Sequence, residues 1–77
     1  MSKSKSQISI ENGVKIIKKA IKNKISLSEA SRQSNFGRNY VSDIKSRLSD
    51  NYKNKNITRE EYNGFKSLVK EYTSKIK

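Results

Sequence analysis

The chain contains no cysteine, no histidine, no proline and no tryptophan. Without cysteine there is no disulfide framework and no thiolate nucleophile. Without histidine the commonest metal ligand and general base is missing. The carboxylates do not make up for that loss. Asp and Glu total seven, and the adjacent Glu60 and Glu61 point about 100° apart on a helix. The three glycines form no phosphate-cradling loop. An enzyme is therefore not expected, nor a metal or any other cofactor. No apolar run approaches the ~20 residues of a membrane span. The opening Met1-Ser2-Lys3-Ser4 has a basic residue but no apolar block behind it, so it does not read as a signal peptide. A cytoplasmic protein is the default expectation. With no proline, nothing blocks an all-helical reading.

What the chain does have is positive charge. Eighteen Lys and Arg face seven Asp and Glu, giving +11 over 77 residues. Anionic partners follow, nucleic acid first and an anionic membrane surface second. The length fits one domain. Ile, Leu, Val and Phe make up about 22% of it, just above the ~20% below which chains stay disordered. A small core is expected, and a partner would help hold it together. The wealth of Lys, Asn and Ile suggests an AT-rich coding sequence, as in a low-GC bacterium or its phage.

Residues 1–8 alternate Ser and Lys and read as a flexible basic arm; residues 9–77 read as a single domain. Ile10, Val14, Ile17 and Ile21 recur at helical spacing, with Ser9 as N-cap and Glu11 in the first turn. This helix should end near Asn23-Lys24. Ser26 and Glu29 match a capping box for a short helix over 27–34, with Leu27, Ala30 and Ser31 inward. Ser34-Asn35 breaks it, Phe36 is a buried wedge, and Gly37 allows an unusual backbone angle or a close approach. A third helix spans 38–49 with an inner stripe of Tyr40 or Val41, Ile44 and Leu48. A polar loop follows from Asp50. Thr58 and Glu61 cap a last helix over 58–76, whose stripe is Tyr62, Phe65, Leu68, Val69, Tyr72 and Ile76. Gly64 interrupts it at a cost of up to ~1 kcal/mol relative to alanine.

Residues 26–48 resemble the helix-turn-helix of small bacterial and phage DNA-binding regulators. Ala30 matches the small residue where the two helices cross, Phe36 the apolar plug, and Val41 and Ile44 the inner stripe. There are departures. Ala30 and Val41 are eleven apart, one more than usual, which predicts a longer turn. Gln33 stands where an apolar residue is usual, and the turn glycine is replaced by Ser34 or shifted to Gly37.

The resemblance implies an all-α, four-helix domain that binds double-stranded DNA as a transcriptional regulator. The helix beginning near Arg38 would enter the major groove. Arg38 would read guanine and Asn39 adenine, with Ser42 and Ser46 further along the same face. Asp43 either accepts from cytosine N4 or is a plain solvated residue. Phosphate contacts are expected from Lys3, Lys5, Lys18, Lys22, Ser28, Arg32, Tyr40, Lys45 and Arg47. Lys15, Lys18, Lys19 and Lys22 can equally be a solvated face. Charge is uneven along the chain: +6 over residues 1–24, +1 over 25–50 and +4 over 51–77. That suits basic flanks for phosphates and a nearly neutral centre for bases.

Three short helices cannot fully cover a long fourth one, so self-association is expected through Tyr62, Phe65, Val69 and Tyr72. A homodimer would set two reading helices on successive major grooves. The alternative class is a small phage interaction module whose basic surface meets an acidic patch on a host or phage protein. A membrane-surface helix over 10–25 is disfavoured by the lack of Trp or Phe on its apolar face.

Overall fold

A computed structural model describes residues 4–76, the last by its backbone alone. Four helices follow in order: α1 Lys5–Asn23, α2 Leu27–Gln33, α3 Tyr40–Lys53 and α4 Arg59–Ile76. There is no strand among the described residues, and no helix is long and apolar enough to cross a membrane. The all-α, four-helix expectation holds. α1 is the central element and packs against each of the other three.

The N-termini are set by side chains. At Ser4 a full capping box forms: its hydroxyl accepts from the Gln7 amide at 3.2 Å, and the Gln7 side chain accepts from the Ser4 amide at 3.0 Å. This box starts α1 five residues earlier than Ser9 would, so residues 5–8 are helix and not arm. Lys3 lies outside the described residues. Ser26 accepts from the Glu29 amide at 3.1 Å. Thr58 and Glu61 bond reciprocally at 3.1 and 2.8 Å, as their spacing predicts.

The C-termini of α1, α2 and α3 share one closure. A residue with positive φ follows each helix: Lys24 at 55°, Asn35 at 68° and Lys55 at 62°. The next amide then reaches back five residues: Ile25 to Ala20 at 3.1 Å, Phe36 to Ser31 at 2.9 Å and Asn56 to Asn51 at 2.8 Å. This is the Schellman pattern, which satisfies carbonyls the helix leaves open. None of the three left-handed residues is glycine, and no glycine has positive φ. Gly37 therefore does not supply the unusual angle expected of it; Asn35 does.

The core draws on every element. It contains Ile10, Ile16, Ile17 and Ala20 of α1, Ala30 of α2, Val41, Ile44 and Leu48 of α3, Ile57, and Phe65 of α4. α1 contacts three helices, so its buried face is wider than one stripe and turns toward Ile16 and Ala20. Val14 and Ile21 are left half-buried at its edge. Gly13 is the pivot of the packing. A Cβ there would lie 2.8 Å from the Phe65 ring and 3.0 Å from Ile44 Cδ1. The first is closer than a side-chain carbon tolerates and the second is tight, so the absent side chain at Gly13 makes the hole that Phe65 fills.

The α4 stripe expected to self-associate makes contacts within the chain. Phe65 is completely buried. Tyr62 stacks on Tyr52 with ring centroids 4.5 Å apart. The Tyr72 hydroxyl accepts from the Leu27 amide at 3.2 Å, and Val69 packs half-buried against the core. These four side chains pack against the chain's own core, with Tyr62, Val69 and Tyr72 left half-buried.

Candidate nucleic-acid interface

The connection from α2 to α3 is six residues, 34–39. It is longer than a tight turn, as the Ala30-to-Val41 spacing predicts. Ser31 anchors it from below. Its side chain is fully buried, and its hydroxyl donates to the Gly37 carbonyl at 2.6 Å. Above that bond Phe36 stacks on Tyr40, centroids 4.2 Å apart. Phe36 is half-buried against the core and not a deep wedge, with the Tyr40 ring stacked on one of its faces. The Tyr40 hydroxyl accepts from Asn12 of α1 at 3.3 Å, which ties the start of α3 to α1.

Because Tyr40 bonds back to the Gly37 carbonyl at 3.0 Å, α3 begins at Tyr40 and not at Arg38. Arg38 and Asn39 sit in the turn ahead of the helix, both exposed. Asn39 is the N-cap residue, but its side chain makes no capping bond and projects for other use. At about 100° per residue, Val41, Ile44 and Leu48 point inward. Ser42, Asp43 and Ser46 then form an exposed polar strip on the opposite side. The Ser46 hydroxyl donates to the Ser42 carbonyl at 3.0 Å, one turn back along the helix.

Cations stand on both sides of this strip. On the α1 side, Lys5 and Arg47 line a polar groove of about 360 Å³ that also takes in Ser6, Tyr40, Asp43 and Asn51. On the α4 side, Lys45, Lys66 and Lys70 ring a smaller groove of about 170 Å³ floored by Leu48, Phe65 and Val69. Comparison with protein-family models, curated protein sequences and solved structures found no match to this chain.

The predicted contact residues therefore divide. Arg38, Asn39, Ser42, Asp43, Ser46, Lys5, Lys45 and Arg47 share or border one face. Ser28 and Arg32 are exposed on the neighbouring α2, where Arg32 pairs with Glu29 at 3.8 Å. That solvent-exposed pair is worth little and leaves the guanidinium able to exchange partners. Tyr40 is committed to Phe36 and Asn12. Lys18 and Lys22 lie on another side of α1, and Lys18 lines the groove that α1 makes with α4. They do not join the α3 face. Lys66 and Lys70 carry no local signal in the sequence that marks them for this face. Their spacing on α4 was visible, but the packing that sets α4 beside α3 was not.

Proposed function

We propose that the protein binds double-stranded DNA with the exposed face of α3, and that the motif over 26–48 works as a helix-turn-helix with a lengthened turn. The observation that carries this reading is the arrangement around α3. A polar strip of Ser42, Asp43 and Ser46 runs between two cationic borders, Lys5 with Arg47 on one side and Lys45, Lys66 and Lys70 on the other. A helix in the major groove meets base edges in front and phosphates on either side, so this order of polar centre and basic borders suits it. Arg38 and Asn39, exposed just ahead of the helix, carry the side chains suited to guanine and adenine edges. Regulation of transcription is the role most consistent with such a small reader.

A second reading, docking to an acidic protein, draws on the groove between α3 and α4. Its floor is hydrocarbon and all its charged neighbours are lysines, which suits an acidic segment with one apolar anchor. Phosphates need the cations but have no use for the apolar floor.

Random-duplex selection followed by sequencing tests the first reading. One sequence should be enriched, with affinity falling steeply as salt rises. Arg38→Ala should flatten the preference at one base position, at a cost of about 1–3 kcal/mol on the best site. Lys66→Ala should weaken all duplexes alike and lower the salt slope by about one. Lys18→Ala, on another face, should leave both unchanged. Absence of duplex binding at low salt would overturn this reading in favour of the second.

A further inference from the structure

Between Glu11 and Glu29 the chain carries five lysines and no acidic residue. Four of them, Lys15, Lys18, Lys19 and Lys22, lie on α1. Lys15, Lys18 and Lys22 are exposed, and Lys19 is half-buried. Among the described residues no ion pair engages any of the four. Lys15 and Lys18 are three apart, and Lys18 and Lys22 four apart. Like charges at these spacings face each other on a helix and destabilise it. The α1 dipole favours Lys22, in the last turn, but does nothing for Lys15 and Lys18 in mid-helix. Glu60 and Glu61 stand across a groove from Lys15 and Lys18, and Lys22 lies outside that groove. The single chain gains little from three cations set in this row.

The row also faces away from the α3 strip. Ser9 lines the groove between α1 and α3. At about 100° per residue, Lys15, Lys18 and Lys22 lie about 120–180° round α1 from Ser9, and within about 60° of one another. Lys15 and Lys22 are about 10 Å apart along the helix axis. That is the advance of about three phosphates on one strand of a duplex, at about 3.4 Å each. An anionic bilayer fits less well. Among the described residues the exposed large apolar side chains are Ile8 and Tyr52, too few to sink a helix face into lipid.

We propose that Lys15, Lys18 and Lys22 form a second, sequence-independent site for the phosphate backbone of double-stranded DNA, so that one molecule holds two duplexes. DNA stays straight over distances far longer than the 33 Å of this molecule. The duplex on α3 therefore does not bend round to the lysine row, and a second one occupies it. The joining of two duplexes rests on the α3 reading; the row as a phosphate site does not.

A bridging assay with the full chain tests this. A duplex of the sequence selected through α3 is fixed to beads, and a fluorescent duplex of unrelated sequence is added with the protein limiting. The wild type should carry fluorescence to the beads. The triple variant Lys15→Gln, Lys18→Gln, Lys22→Gln should lose that capture at least about tenfold at moderate salt, while its affinity for the bead duplex stays the same. Its melting temperature should hold or rise, because the like-charge neighbours are gone. Capture that the triple variant retains overturns the proposal, as it would if the bridge were a dimer joined elsewhere. So does a triple variant that loses binding to phosphatidylglycerol vesicles but not to DNA, which would assign the row to a membrane surface. A wild type that holds one duplex, lost in the triple variant, overturns the α3 reading and keeps the row as a phosphate site. A wild type that holds one duplex, kept by the triple variant, overturns the row and leaves the α3 reading standing.

Discussion

The α1/α4 seam and the α2/α3 turn solve the same problem, the close approach of two chain segments, by different physics. At the seam a side chain is removed: Gly13 leaves a hole and the Phe65 ring fills it against Ile44. The stabilisation there is hydrocarbon burial and dispersion, which is large and non-directional. At the turn nothing is removed. The buried Ser31 hydroxyl grips the Gly37 carbonyl, and a half-exposed pair of rings lies over it. That attachment is directional and modest in energy. The seam holds the molecule together, while the turn fixes where Arg38 and Asn39 stand.

Phe65→Ala attacks this contrast most heavily. Removing the ring from a fully buried site should cost about 3–5 kcal/mol, against a total stability for 77 residues of roughly 4–12 kcal/mol. Urea titration followed by circular dichroism should show a chain unfolded or nearly so; a loss under ~1 kcal/mol would show that the seam collapses into the hole. Ser31→Ala comes next. It removes the hydroxyl bond to the Gly37 carbonyl, which keeps the Tyr40 amide, at a cost of about 0.5–1.5 kcal/mol. The largest nuclear magnetic resonance shift changes should fall on residues 34–40, while the amides around Gly13 and Phe65 stay in place. Shifts spread evenly through the core would mean that turn and seam are one unit. Asn35→Gly is the gentlest probe. It relaxes a left-handed backbone that asparagine already tolerates. The unfolding midpoint should therefore move by only a few tenths of a kcal/mol. A loss above ~1 kcal/mol would reveal that the Asn35 side chain takes part in holding the turn.

Helix starts were more legible than helix stops. Ser26 and Thr58 announce α2 and α4 through capping residues, because a cap is a local interaction between residues three apart. Ser4 with Gln7 carries the same signature, but Ser9 followed by Ile10 competes with it in a Ser-rich stretch and points to a later start than the one α1 has. The stops carry no glycine signal: Lys24, Asn35 and Lys55 take the left-handed position that glycine usually marks. Without that signal the sequence predicts an end at 49, whereas α3 continues to Lys53. Its beginning was set too early at Arg38, because the Gly37-to-Tyr40 turn looks helical in sequence. The pairing of Gly13 with Phe65 was beyond reach, since nothing local links positions so far apart. The candidate interface follows the same rule. Residues on α3 itself were legible from periodicity, whereas Lys66 and Lys70 entered only once α4 was seen beside α3.

One further consequence comes from the first turn of α1. The Ser4 hydroxyl donates to the Asn56 carbonyl at 2.9 Å, Ser6 to the Asn51 side chain at 3.1 Å, and Gln7 to Glu61 at 3.3 Å. Helix ends ordinarily fray, with opening free energies near zero. Here the first turn is stitched to the last turn of α3, the connection after it and the first turn of α4, so fraying must break bonds about fifty residues away in sequence. Amide hydrogen exchange in the opening turn of α1 should therefore slow in step with that connection, and the two should open as one cooperative unit.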